Sequence, residues 1–190
     1  IMMGAHFEKT LHGFWSVDPE AFAALSQYNG NDAYSLYDKT DGTWNNGWRH
    51  CQAGYDYQRS MADRPVVNSE NHLIADRDVG VIPPAHLYAT LWQNAIHGQS
   101  ATTIWVWERC NDDVSDLAGS ILQRPDCVEA VGRCGLDLNR LAYEIAALQN
   151  LAPEVVLLWS RSSMVLGSDH KHVLDDTYEA ANFLGRPLGF

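Results

Sequence analysis

The feature that most constrains the fold of this chain is a regular alternation of short apolar segments with longer amphipathic ones. The apolar segments begin near residues 1, 33, 65 and 102, about 32 to 37 residues apart. That spacing fits one strand, one crossover helix and their loops, the unit from which parallel sheets are built. Short, continuously apolar strands also favour parallel over antiparallel pairing. We therefore predict an α/β fold in which helices cover a parallel sheet.

The individual elements follow from residue type and periodicity. Runs of β-branched and aromatic residues indicate strands, and apolar residues at three- and four-residue spacing indicate helices. The predicted strands are Ile1–Phe7, Ala33–Tyr37, Pro65–Ser69, Thr102–Trp107 and Glu154–Trp159. The predicted helices are Asp18–Gln27, Gly47–Met61, Pro84–His97, Pro125–Gln149 and Asp175–Leu184. The tripeptide Asn29-Gly30-Asn31 predicts a turn before the second strand.

The length of the chain predicts an incomplete barrel. A full (β/α)8 barrel needs roughly 250 residues, whereas the chain has 190. The four units in residues 1–150 fit the C-terminal half of a (β/α)8 TIM barrel, strands 5 to 8. Leu151-Ala152-Pro153 predicts a domain boundary. Residues 151–190 are then expected to begin a second domain, with its next strand beyond Phe190.

The charge of the chain limits the classes of molecule that it is expected to bind. It contains 13 Lys and Arg against 24 Asp and Glu, a formal net charge of −11. Nucleic acids and anionic membranes bind basic surfaces, so we expect neither as a partner, and anionic substrates are disfavoured for the same reason. No apolar run approaches the roughly 20 residues of a transmembrane helix. The first residues do not resemble a signal peptide, which predicts a cytoplasmic protein.

The cysteines predict structural thiols rather than a metal or redox site. Their positions include no CxxC pair, and they are Cys51, Cys110, Cys127 and Cys134. Asp169, His170 and His172 form a cluster of metal-ligand type, but it falls in a predicted loop. We expect no metal and no cofactor.

Polar residues are expected to gather at the carboxyl ends of the predicted strands, where active sites form in parallel α/β proteins. The residues at these positions are His6, Glu8, Asp38, Lys39, Asn68, Glu70, Glu108 and Arg109. The same loops and strand ends carry Trp15, Trp44, Trp105 and Trp107. Indole rings pack on the C–H faces of sugars, and carboxylates and amides bind their hydroxyls. The pattern therefore favours a site for a neutral sugar.

Glu70 is the foremost candidate for chemistry, because the buried run PVVNS leads directly into this carboxylate. A carboxylate fixed at a strand end can attack an anomeric carbon. The alternative is a solvated loop or helix-cap residue. Glu108 is open to a simpler interpretation as an ion-pair partner of Arg109, and His97 to one as a helix C-terminal residue stabilised by the helix dipole.

Three stretches of the chain resemble the retaining (β/α)8 glycosidases, most closely glycoside hydrolase family 42. RPVVNSENH (64–72) resembles the seventh barrel strand, which ends in the nucleophile. LWQNAIHGQSATTIWVWER (91–109) is similar to the helix and eighth strand that follow it. LAPEVVLLWSRSSMVLG (151–167) resembles the opening of a flavodoxin-like trimerisation domain. The segment Gly30–Asp38 would supply the sixth strand. Where family members usually place a Trp shortly after the nucleophile, this chain has HLIADRDVGV.

This resemblance implies a retaining glycosidase acting on a β-galactoside or another neutral glycoside, with Glu70 as nucleophile. The residues expected to bind substrate are His6, Tyr37, Asn68, Trp105, Trp107, Glu108 and Arg109. The general acid/base would lie at the end of the fourth strand, outside this chain, so residues 1–190 alone are expected to be nearly inactive. A homotrimer is also implied.

Two other functions fit parts of the pattern. A non-catalytic carbohydrate-binding barrel would use the tryptophans without needing Glu70. A barrel enzyme for phosphorylated metabolites is disfavoured, because no Gly-rich loop precedes a helix to hold a phosphate.

Overall fold

The computed structural model describes residues 2–3, 18–35, 37–39, 42–44, 48–75, 78–108, 120–166, 170–185 and 188–190. The strands in these ranges are β1 Met2–Met3, β2 Asn29–Asn31, β3 Val66–His72, β4 Gln99–Trp105, β5 Val155–Val156 and β6 Leu188–Gly189. The helices are α1 Pro19–Leu25, α2 Trp48–Met61, α3 Pro84–Ile96, α4 Pro125–Arg140, α5 Ala142–Gln149, α6 Arg161–Leu166 and α7 His170–Asn182.

Strands β1 to β4 form one parallel sheet in chain order. Each connection contains a helix within its described residues: α1 between β1 and β2, α2 between β2 and β3, and α3 between β3 and β4. This arrangement confirms the predicted α/β fold of successive parallel βα units. It also brings the carboxyl ends of all four strands to one edge of the sheet.

The second strand lies earlier than predicted, and the prediction of a strand at Ala33–Tyr37 is wrong. β2 is the tripeptide Asn29–Asn31, which the Asn-Gly pattern predicts as a turn. It is buried, and Gln58 of α2 binds two of its polar groups: the Asn31 amide donates to the Gln58 side chain over 2.7 Å, and Gln58 donates to the Gly30 carbonyl over 2.9 Å. Buried hydrogen bonds to α2 therefore override the local turn preference.

The carboxyl half of β3 contains a bulge. On either side of it, Asn68 pairs with Thr102 and Asn71 pairs with Ile104. Two residues of β3, Ser69 and Glu70, therefore lie opposite one residue of β4. Bulges of this kind bend a strand and redirect its side chains, and they recur beside active sites.

The long predicted helix is broken into α4 and α5 at Leu141, which caps both. α4 packs on α3 through an apolar core built from Leu87, Leu91, Ile121, Cys127 and Cys134. Cys51, Cys127 and Cys134 are buried free thiols, as predicted, and Cys110 lies outside the described residues. None of the described helices has both the length and the apolar character needed to cross a membrane.

A second, two-stranded sheet follows. The predicted strand Glu154–Trp159 is reduced to β5, and the expectation that its next strand lies beyond Phe190 is wrong, because β6 pairs with β5 in parallel. This sheet and α7 pack on the outer side of α2, with Tyr57, Leu157 and Tyr178 in the shared core.

A buried polar cluster links α2 to α7 and to the C-terminal end of α3. The Asp56 carboxylate on α2 accepts a hydrogen bond from the Tyr178 hydroxyl over 2.7 Å, and it lies 3.0 Å from Nδ1 of His97. His97 caps the C-terminus of α3, as the sequence predicts.

Candidate active site at the edge of the sheet

Glu70 lies in the bulge of β3, inside a strand that extends to His72 rather than ending at Ser69. Its backbone N–H donates to the Asn68 side-chain oxygen over 3.1 Å, which ties the bulge to the strand before it. The hydroxyl of Ser69 donates to the Asn31 carbonyl over 3.2 Å, which ties it to β2 as well. The Glu70 side chain is 32% exposed. The carboxylate is thus anchored at its backbone and open to solvent at its end.

His72 is a site residue that is absent from the candidates drawn from the sequence. Its Nε2 lies 3.1 Å from Oε1 of Glu70. Its ring lies between two aromatic side chains, 4.8 Å from the Tyr34 centroid and 5.9 Å from that of Trp105. The signal available in the sequence was its position two residues after Glu70, since residues two apart in a strand face the same side.

Asp32 brings a second carboxyl group to the same place. It directly follows β2, and its pKa is raised to about 6. Burial is the main cause, the charge of Glu70 also raises the pKa, and His72 lowers it. Sequence reasoning missed Asp32 because it placed the turn, rather than the strand, immediately before it.

Asn68 is part of the scaffold beneath these groups. It has no exposed surface. Its amide donates to the Ala33 carbonyl over 2.5 Å and to the Tyr55 hydroxyl over 2.9 Å. Tyr55 in turn donates to the side chain of Gln99. Asn68 therefore acts on the site by holding the backbone of Glu70.

Trp105 ends β4 beside His72, and 39% of it is exposed, so it offers an indole surface next to the Glu70 carboxylate. Trp107 and Glu108 follow the strand end and are also exposed. The strand predicted at Thr102–Trp107 is present, but it ends two residues earlier than predicted, at Trp105. Among the described residues, no recorded contact joins Trp107 or Glu108 to Glu70. The predicted Glu108–Arg109 pair cannot be assigned, because Arg109 is outside those residues.

Tyr37 belongs to a neighbouring aromatic cluster. Its hydroxyl donates to Asp78 over 2.7 Å and accepts from the Ala75 N–H over 2.9 Å. Its ring stacks on Trp44 at 5.1 Å and meets the edge of His86 at 5.0 Å. His86 is almost wholly buried, and this burial lowers its pKa to about 4. The structure thus places Tyr37 and Trp44 together, with contacts distinct from those of Glu70.

Several other candidate residues either make contacts that do not include Glu70 or lie outside the described residues. Lys39 pairs with Asp78, and Asp38 forms an isolated bridge with Thr43. His6, Glu8 and Trp15 lie outside the described residues. Within the described part of the chain, no group of three or more His, Cys, Asp and Glu side chains is arranged to hold a metal ion.

The site therefore combines one anchored, accessible carboxylate, a histidine in contact with it, a half-buried carboxyl group and an exposed indole. A carboxylate of this kind can act as a nucleophile, and the indole offers a surface for an apolar sugar face.

Comparisons of sequence and of structure differ in what they find. No protein-family model matches the sequence, and no curated protein gives a significant match. Among solved structures, an exo-carrageenase of glycoside hydrolase family 42 from Bacteroides ovatus matches with a TM-score of 0.79 and 25% identity. That match covers 95% of this chain and 27% of the carrageenase.

Two β-galactosidases give further matches. A catalytic mutant of a family 42 β-galactosidase from G. stearothermophilus matches with a TM-score of 0.63 and 14% identity over 85% of this chain and 26% of its own. A polyextremophilic β-galactosidase from the Antarctic haloarchaeon Halorubrum lacusprofundi matches with a TM-score of 0.64 and 16% identity over 99% of this chain and 30% of its own.

The chain spans between 26% and 30% of the length of these enzymes. The matches extend over nearly all of it and agree with the parallel βα units described above. The fold of the chain is therefore similar to part of these glycoside hydrolase family 42 structures.

Proposed function

We propose that the chain forms the second half of the catalytic barrel of a retaining glycoside hydrolase, with Glu70 as its nucleophile. The observation that carries this proposal is the Glu70 carboxylate, which is anchored in a bulge at the carboxyl edge of the sheet and lies beside His72 and the exposed Trp105. The fold shared with family 42 enzymes supports it.

In the proposed reaction, an oxygen of Glu70 forms a bond to the anomeric carbon as the glycosidic C–O bond breaks. A general acid gives its proton to the departing oxygen, and the sugar remains as an ester of Glu70. Water then attacks the anomeric carbon, gives a proton to the same acid/base group and releases Glu70. Retention needs the second carboxyl group roughly 5 Å from the first. We assign that group to a part of the enzyme outside this chain.

The proposed substrate is a neutral glycoside of the β-galactoside type. The net charge of −11 works against an anionic substrate, whereas Trp105 offers a surface for the C–H face of a sugar ring. His6, Trp107, Glu108 and Arg109 are proposed to line the same region, and Asn68 to act by positioning Glu70. Tyr37 would act through its cluster with Trp44.

Residues 151–190 are proposed to open a flavodoxin-like domain that supports a trimer. The parallel pairing of β5 with β6 around α6 and α7 is the arrangement that such a domain begins with. The boundary near residue 150 is part of the same proposal.

The test is covalent labelling of the full-length protein with 2,4-dinitrophenyl 2-deoxy-2-fluoro-β-D-galactopyranoside, followed by peptide mass mapping. We expect one sugar on the peptide containing Glu70, and no label in Glu70→Gln. The matched control is Glu129→Gln on the exposed face of α4, which should label like the wild type. A label on another residue, or galactoside binding without any label, would refute the assignment, and the second result would favour a non-catalytic carbohydrate-binding barrel.

A further inference from the structure

We propose that Asp32 is a positioning residue for Glu70: its carboxylate faces the same edge of the sheet and, through repulsion between the two charges, makes Glu70 a stronger nucleophile. This inference rests on the proposed function of Glu70. It adds a residue that acts through Glu70 rather than on the substrate.

The register of the sheet brings the two residues to neighbouring positions. Asn31 of β2 pairs with Asn68 of β3. Asp32 follows Asn31 directly, and Glu70 follows Asn68 within the bulge. The hydrogen bond from Ser69 to the Asn31 carbonyl holds the bulge against this end of β2. Asp32 therefore lies just beyond the end of β2, and Glu70 lies in the adjacent strand β3, two residues beyond the partner of Asn31.

The environment of Asp32 leaves its charge poorly compensated. Its Oδ1 is buried and accepts no hydrogen bond from any residue in the described part of the chain. The titratable groups that act on it there are Glu70 and His72. The pKa of Asp32 is raised to about 6, mainly by burial and also by the charge of Glu70, while His72 lowers it. Asp32 is therefore ionised at neutral pH and becomes protonated in mild acid.

The chemistry of glycosylation makes this charge useful. Glu70 starts the step as an anion and ends it as a neutral ester, while the electron pair of the broken bond leaves on the glycosidic oxygen. Repulsion from an ionised Asp32 is relieved as the ester forms, so it raises the energy of the starting state more than that of the transition state. Protonation of Asp32 removes the repulsion and should slow the step.

The experiment measures kinact/KI for the same fluorosugar between pH 5 and pH 8 in full-length wild type and in Asp32→Asn. Dinitrophenolate leaves without needing a proton, so the rate reports the attack by Glu70. We expect the wild-type rate to rise about tenfold through pH 6. Asp32→Asn should match the wild type at pH 5 and lack the rise. Asp63→Asn, an exposed carboxylate elsewhere, should follow the wild type.

The outcomes separate this inference from the proposal it rests on. Labelling of Glu70 with an unchanged rise in Asp32→Asn would assign the titration to another group and would overturn the role of Asp32 alone. Failure of the wild type to label Glu70 would overturn both. If Asp32→Asn does not fold, Asp32→Ser removes the same charge and must lose the same rise.

Discussion

Nε2 of His72 lies 3.1 Å from Oε1 of Glu70, and the two residues are two positions apart on the same strand. The contact involves one of the two carboxylate oxygens and leaves the other available. The His72 ring is itself held between Tyr34 and Trp105. The orientation of the proposed nucleophile therefore depends on two neighbouring strands and on the segment after β2.

Replacement of His72 tests this orientation. In His72→Ala we expect kcat for 4-nitrophenyl β-D-galactopyranoside to fall by roughly 10- to 100-fold, because a hydrogen bond to a charged group is lost. His72→Gln retains a donor and should recover part of the loss. Wild-type kcat in His72→Ala would show that the contact does not hold Glu70.

Replacement of Asp32 should stabilise the protein while it alters the site. Its folded pKa of about 6 lies above the unfolded value of 3.8, so the native state binds the proton more tightly and loses stability as pH rises from about 4 to 6. Asp32→Asn should therefore raise the free energy of unfolding at pH 7.5, by about 1–2 kcal/mol after allowance for solvent screening of a half-buried group.

Urea unfolding at pH 7.5 and at pH 4 measures this gain. Near pH 4 the aspartate is largely protonated in the native state, so the advantage of the variant should shrink. An equal gain at both pH values would show that packing, rather than charge, is responsible.

Burial of His86 predicts that the folded protein loses stability in acid, which is the opposite of the pH dependence expected from Asp32. Its folded pKa of about 4 lies below the unfolded value of 6.5, so its contribution to stability is complete above pH 6.5 and is lost as pH falls toward 4. His86→Phe keeps an aromatic ring against Tyr37 and Trp44 and removes the titration. The loss of unfolding free energy between pH 6.5 and pH 4.5 should be smaller in the variant by about 2 kcal/mol. Parallel pH profiles for the two proteins would contradict the prediction.

Gly98 is a position where the backbone demands glycine. Its φ is +120°, and an added Cβ would lie 1.9 Å from Cδ of Arg59. Gly98→Ala should lower the free energy of unfolding by about 2–3 kcal/mol, because the side chain strains the backbone and displaces Arg59. Gly132→Ala in α4 is the matched control, since its Cβ meets nothing, and it should be neutral or slightly stabilising. If the two variants are equally stable, the expected backbone strain in Gly98→Ala is refuted.

The repeat of strand and helix could be predicted because each helix carries its own apolar stripe and start signal. Pro84 begins α3, Pro125 begins α4, and Asp18 caps α1 by accepting from the Ala21 N–H over 3.2 Å. These are local preferences, and the tertiary structure agrees with them.

The errors arise where tertiary contacts outweigh local preference. Asn29–Asn31 forms a strand against its local turn preference because Gln58, far away in sequence, binds the Asn31 amide and the Gly30 carbonyl. The bulge in β3 depends on pairing with β4 and has no signature within PVVNSENH. Glu70 was found because a carboxylate after a buried run is unusual. Asp32 and His72 were missed as site residues because their importance comes only from what lies beside them.

The extra residue in β3 makes the spacing of this strand as important as its composition. Deleting either Ser69 or Glu70 would restore regular pairing between Asn68 and Asn71, but it would also remove the local bend. Conversely, an insertion there would turn His72 to the opposite face of the sheet. Natural variants of this protein should therefore keep the length of this strand as strictly as they keep Glu70.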